Sequence, residues 1–160
     1  CAVVPEQEMS GVRISSTYIR ELLTQGRMAE ADTFLGHPHV LSGTVVSGRH
    51  LGRTLGIPTA NLHLTEGVIV PRFGVYACRA LAEGRAYPAV TNVGTRPTVN
   101  SDESKVTCET FIPGFTGDLY GTDPVVEFHA YLSPSKKFDT LDELRDCINN
   151  AAQRAQEYFK

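Results

Sequence analysis

Three groups of residues in this sequence have the types and spacing to do chemistry. The first is Ser47–Leu64, SGRHLGRTLGIPTANLHL. Gly48, Gly52 and Gly56 recur at intervals of four, with Arg49 and Arg53 between them. Backbone N–H groups of glycine turns, helped by a cation, hold phosphate. A solvated hairpin turn has the same composition. The stretch is not a P-loop, because three residues rather than four separate Gly48 from Gly52 and Arg53 stands where Lys would. Pro58 closes the loop, and Thr59 and Asn61 flank Ala60 on a strand-like run, so their side chains share a face. A hydroxyl and an amide oxygen side by side are hard donors of the kind Mg²⁺ takes. The polar outer face of an ordinary strand would read the same way.

The second group is a pair of carboxylates, each set in an apolar strand pattern: Glu109 in VTCETFI and Glu127 in VVEFHAY. Phosphoryl transfer to an alcohol needs a positioned base, and either could serve. The third is Ser15, Ser16 and Thr17 with Arg20 one turn on, which is an anion-friendly helix start and also a normal cap. The five histidines form no H-x-x-x-H or H-E-x-x-H pattern, and His37-Pro38-His39 reads as a turn.

These residues must be held by elements the periodicity predicts. ISSTYIRELLTQG and RMAEADTFLG read as two short helices stopped by Gly26 and Gly36, a helical preface over residues 1–36. Residues before them read as loop. From His39 the period falls to two, giving six strand candidates: HVLSGTVVS, IPTANLHL, FGVYACRAL, RAYPAVTNV, KVTCETFI and VVEFHAYL. Ala82-Glu83-Gly84-Arg85 is a hairpin turn. Six strands on short connections predict a mainly β fold, an antiparallel barrel with Greek-key-like closure that removes exposed edges. Leu141, Leu144, Ile148, Ala151, Ala155 and Tyr158 form a C-terminal helical stripe to pack on that barrel, opened by a Thr140/Glu143 capping box.

Composition excludes several classes. The chain has 160 residues, 41% hydrophobic and 21% charged, which suits one core with an appendage. A net charge of −3 and no basic stripe with interleaved aromatics argue against nucleic acid. No run reaches the ~18 apolar residues of a membrane span. Cys1, Cys78, Cys108 and Cys147 lie far apart, which points to free thiols and a cytoplasmic setting. The chain opens on Cys1, as part of something longer would.

GRTLGIPTANL resembles the signature of the riboflavin kinase family. The likeness continues in order through PRFGVYACRA, AVTNVGTRPT, CET, GDLYG and KKFDTLDELRDCI. It implies a riboflavin kinase domain over residues 37–160 that makes FMN from riboflavin and ATP with Mg²⁺. By position it implies that Gly48, Gly52, Arg53, Gly56 and Thr59 bind nucleotide, and that Thr59 and Asn61 organise the metal. Glu109 becomes the catalytic base, leaving Glu127 structural, while Asn92, Arg96 and Thr98 fall on the flavin side. ISSTYIR with the helix after it resembles the last segment of the adenylyltransferase module of bacterial bifunctional riboflavin kinase/FAD synthetases. That makes Ser15, Ser16, Thr17 and Arg20 a nucleotide-holding remnant, and the upstream module a partner in the parent chain. The 160 residues alone are then expected to make FMN and not FAD. Three positions depart from the pattern: Phe111 replaces a common His, Gly114 a common Asp and Ser133 a common Arg. Phe111 and Ser133 motivate the alternative of a flavin- or nucleotide-binding module with little turnover.

Overall fold

The computed structural model describes residues 5–48, 56–97 and 104–160. Strands β1 (Glu8–Met9) and β2 (Val12–Arg13) lead into helices α1 (Ser16–Gln25) and α2 (Met28–Leu35). Six strands follow: β3 (His39–Val46), β4 (Thr59–Leu64), β5 (Gly74–Ala82), β6 (Arg85–Pro97), β7 (Ser104–Phe111) and β8 (Val125–Ser133). Helix α3 (Leu141–Tyr158) ends the chain. The opening residues, expected to be loop, contain the β1–β2 hairpin. Ser10 and Gly11 both adopt positive φ, 52° and 76°, as a tight two-residue turn with the strand twist requires.

The six strands lie where the alternation predicts, except that β6 runs on to Pro97 because its last residues still find partners on β7, from Gly94↔Thr107 to Pro97↔Ser104. They close into an antiparallel barrel in the order β3-β4-β7-β6-β5-β8. β5, β6 and β7 form a meander and β8 returns beside β5, which is the Greek-key arrangement. The β5–β6 turn uses Glu83 and Gly84, both at positive φ.

Alternation sends Leu41, Leu62, Tyr76, Cys78, Val93, Cys108 and Phe128 inward, and all are buried. Among the described residues two polar side chains share that interior, and they satisfy one another: Thr91 Oγ1 and Thr110 Oγ1 are 3.0 Å apart. Cys78, Cys108 and Cys147 are free thiols, while Cys1 lies outside the described residues. Burial pushes the Cys108 thiol up to about 12, so it stays protonated and inert. No helix among the described residues is long and apolar enough to cross a membrane.

The helical preface is not a loose arm. Leu22, Leu23, Met28 and Ala31 are almost fully buried and belong to the same apolar cluster as the barrel interior. Arg72 N–H donates to the Leu23 carbonyl at 2.9 Å, and His39 N–H donates to Asp32 Oδ1 at 2.9 Å. Ser15 caps α1 by accepting from Tyr18 N–H at 3.2 Å. Gly26 stops α1 at φ 78°, where a Cβ would sit 3.3 Å from both Tyr131 and Arg72.

Helix α3 packs Ala151, Ala152 and Ala155 against Ala77 and Val90 on the outside of β5 and β6. Thr140 accepts from Glu143 N–H at 3.2 Å, and Glu143 accepts in return from Asp139 N–H at 3.3 Å. The predicted stripe overruns the barrel face it rests on. Its ends, Leu141 and Tyr158, are therefore each 51% exposed.

Because the preface and barrel share one core, Leu22→Ala should cost about 3 kcal/mol of the barrel's own stability, through lost burial and the residual cavity. Urea unfolding monitored by a barrel probe measures this. An unchanged barrel transition would show that the preface folds apart from it.

Candidate active site

β7 is paired on both edges, with β4 on one side and β6 on the other. The registers Asn61↔Glu109 and Asn92↔Glu109 put three polar side chains in one row across three strands. The registers Thr59↔Phe111 and Val90↔Phe111 make the next row on the same face. Since Cys108 and Thr110 point into the barrel, Glu109 and Phe111 must point out, toward α3.

Helix α3 and the connector 134–140 stand over this outer face without filling it. A cavity of about 160 Å³ remains between them. Val75, Val90 and Phe111 wall it on the sheet side, and Leu144, Ile148 and Ala151 on the helix side. Thr59, Asn92 and Glu109 give it a polar edge, and Pro134, Lys136 and Phe138 close it from the connector. Cys147 also faces it. A second cavity of about 100 Å³ lies on the other side of Thr59, bounded by Pro58, Ala60, Thr110, Phe115, Asp118 and Tyr120. Thr59 is the residue the two cavities share. The wall of the smaller cavity includes a turn in which Phe115 N–H donates to the Ile112 carbonyl at 3.2 Å. Gly114 sits in that turn at φ 76°, which explains a glycine where a side chain would be strained.

Asn61 is fixed by two contacts. Its Nδ2 lies 3.4 Å from the Thr59 carbonyl, a long hydrogen bond back to its own strand. Gly48 also presses on the amide, so closely that a Cβ there would lie 2.4 Å from Asn61 Nδ2 and 2.8 Å from Oδ1. The glycine at the loop's start is therefore explained by what it lets Asn61 do.

The structure thus brings together Gly48, Thr59, Asn61, Asn92 and Glu109. Gly56 adopts φ 71° just before β4. Gly52, Arg53 and Thr98 lie outside the described residues, as does the Arg96 side chain, although Arg96 pairs with Lys105 in β6. Glu127 is on the outer face of β8, opposite Arg79 and Val40, with its carboxylate 3.5 Å from His129 Nε2. Ser15, Ser16, Thr17 and Arg20 line neither cavity. Among the described residues no group of three or more His, Cys, Asp or Glu side chains could hold a metal. Ser133 ends β8 opposite Val75.

Sequence reasoning did not assign the apolar walls or the connector to the site. The helical signal was available: Leu144, Ile148 and Ala151 recur at four and three residues, the spacing of one helix face. For Ser135 there was none, because a connector has no period to read; Lys136 opens the KKFDTLDELRDCI run on which the likeness rests.

Comparison with known proteins completes the description. Residues 35–159 match the riboflavin kinase (flavokinase) family model. The bifunctional riboflavin kinase/FMN adenylyltransferase of Escherichia coli K12 is 41% identical over 150 residues, 93% of this chain and 47% of that protein. The protein of the same name from Listeria monocytogenes is 31% identical over 157 residues, 98% of this chain and 50% of that protein. A crystal structure of a macrolide-efflux protein from Streptococcus pneumoniae superposes with a TM-score of 0.87 at 34% identity, over 96% of this chain and 50% of that one. The chain spans about half the length of the curated relatives it matches. It belongs to the riboflavin kinase family.

Gly48→Ala should leave the fold standing, since the three atoms nearest the added Cβ all belong to the Asn61 side chain, yet drive the Asn61 amide from its place. The side-chain NH₂ resonances of Asn61 should shift, with stability changed by less than about 1 kcal/mol. Unmoved Asn61 resonances would contradict the close packing.

Proposed function

We propose that this chain transfers the γ-phosphoryl group of ATP to the 5′-hydroxyl of riboflavin, giving FMN and ADP, with Glu109 as general base. The observation that carries this is the place of Glu109. It lies between Asn61 and Asn92, at the polar edge of an apolar cavity and one row from Thr59.

The assignment of the cavities follows from chemistry. An isoalloxazine ring is flat and largely apolar, which suits Val75, Val90, Phe111, Leu144 and Ile148. The hydroxyl-bearing ribityl chain then extends to the edge holding Asn92 and Glu109. The smaller cavity borders Pro58, at the end of the glycine loop, and is the nucleotide's place. Gly48, Gly52, Arg53 and Gly56 hold its phosphates, and Thr59 stands where the two substrates meet. Arg96 and Thr98 are assigned with Asn92 to flavin binding.

Magnesium fits the residues present. Thr59 and Asn61 offer a hydroxyl and an amide oxygen, and the Asn61 Nδ2 contact with the Thr59 carbonyl turns the amide nitrogen toward the backbone. With phosphate oxygens these two would hold the ion, which when bound offsets the negative charge of the phosphates. In the reaction the Glu109 carboxylate orients the 5′-hydroxyl and accepts its proton. The hydroxyl oxygen forms a bond to the γ-phosphorus as the bond to the ADP oxygen breaks in line. Orientation by the cavity walls, and exclusion of water by α3 and the connector, favour transfer to the alcohol over hydrolysis.

The preface, residues 5–36 among those described, is read as the closing segment of an upstream adenylyltransferase module. Support comes from the reach of the relatives, whose alignments cover 98% and 93% of this chain and so extend beyond the family match that starts at residue 35. Synthesis of FAD then belongs to a longer parent chain, and Ser15, Ser16, Thr17 and Arg20 serve that module. Shared core packing of the preface makes it also a physical link between the two activities.

Glu109→Gln should lower kcat about 10²- to 10⁴-fold while riboflavin and Mg-ATP still bind, as loss of a positioned base does. FMN formation followed by chromatography measures it. A variant as fast as the native chain would remove Glu109 from the base role, and a native chain that binds both substrates without making FMN would favour the binding-module reading.

A further inference from the structure

Connector 134–140 alternates over the larger cavity. Pro134, Lys136 and Phe138 face into it, while Ser135 turns the other way, toward the barrel. The Ser135 hydroxyl donates to Asn92 Oδ1 at 2.7 Å and lies 3.5 Å from the Val93 carbonyl. This contact joins residues 43 apart in sequence, tying the connector to β6 at the cavity's polar edge. Gly94 leaves the space open beside it, since a Cβ there would be 3.9 Å from both Asn92 Nδ2 and Ser135 Oγ.

The consequence concerns the polarity of the edge. An amide carries one acceptor oxygen and two N–H donors, and its terminal torsion is close to two-fold, so unaided it can present either end. In this pairing Oδ1 accepts from the Ser135 hydroxyl, and Asn92 presents its N–H donors to whatever else lies beside it. We infer that Ser135 is a positioning residue for flavin: by holding Asn92 Oδ1 it fixes the amide donors toward the oxygen-rich part of the ligand and fastens the connector over the bound ring. The inference rests on the larger cavity being the flavin site. It assigns Ser135 a role in affinity and residence of riboflavin, and none in the nucleotide's binding or in proton transfer.

The test is riboflavin binding by quenching of flavin fluorescence, with steady-state kinetics alongside, for the native chain, Ser135→Ala and Ser135→Thr. Loss of one net hydrogen bond corresponds to about threefold to tenfold weaker riboflavin binding in Ser135→Ala. The riboflavin KM should rise by the same factor, with kcat and the ATP KM within about twofold of native. Ser135→Thr, which keeps the hydroxyl, should recover most of the loss. Unchanged riboflavin affinity in Ser135→Ala overturns the inference alone. So does an equal rise in both KM values with a lowered melting temperature, or failure of the threonine to rescue, because each marks a merely structural residue. A native chain that binds no riboflavin overturns the functional reading, and this inference with it.

Discussion

The double pairing of β7 is the constraint on which the rest depends. A strand bonded on both edges cannot slip by one residue without moving every side chain to the opposite face. Here that rigidity fixes Asn61, Glu109 and Asn92 in one outward row and Thr59, Phe111 and Val90 in the next. The same registers carry Cys108 and Thr110 inward to fill the barrel. One pairing therefore sets both the core and the polar edge of the cavity. A candidate base placed on a central barrel strand has far less freedom than one on a loop, and positioning is most of what phosphoryl transfer asks of a protein.

The barrel interior is packed between its strands, and the larger cavity lies outside it, beneath a helix. Small side chains make this possible. Ala151, Ala152 and Ala155 let α3 approach the sheet closely at one end, against Ala77 and Val90. Larger residues, Leu144 and Ile148, face the open end and wall the cavity rather than fill it. The result is a wedge, tight at the C-terminal half of the helix and open where its N-terminal half passes Glu109. The connector completes the wedge, and its contacts with β6 lie at the mouth.

Much of this was legible in the sequence, and the illegible parts have physical reasons. Strict alternation located all six barrel strands, and the same alternation put Thr59 and Asn61 on one face. It could not separate Glu109 from Glu127, because two outward carboxylates on two half-buried strands have the same pattern. The difference lies in neighbours across the sheet: Asn61 and Asn92 beside Glu109, Val40 and Arg79 beside Glu127. Strand order is set by long-range pairing and leaves no local trace. The preface read as a separate unit because its helices have their own caps and stops, whereas its buried Leu22 and Leu23 belong to a core completed by barrel residues far along the chain. Ser135 was invisible for a similar reason, since its partner is 43 residues away.

The central claim is that flavin occupies the cavity between α3 and the outer face of β7, against Glu109. Cys147 faces that cavity, whereas Cys78 and Cys108 are sealed in the barrel. The most direct measurement is the rate of alkylation of Cys147 by iodoacetamide, located by peptide mass, with and without saturating riboflavin. The account predicts that riboflavin slows modification of Cys147 at least about tenfold, in proportion to the fraction of sites filled. Modification at the same rate with the ligand bound would place the flavin elsewhere and contradict the account.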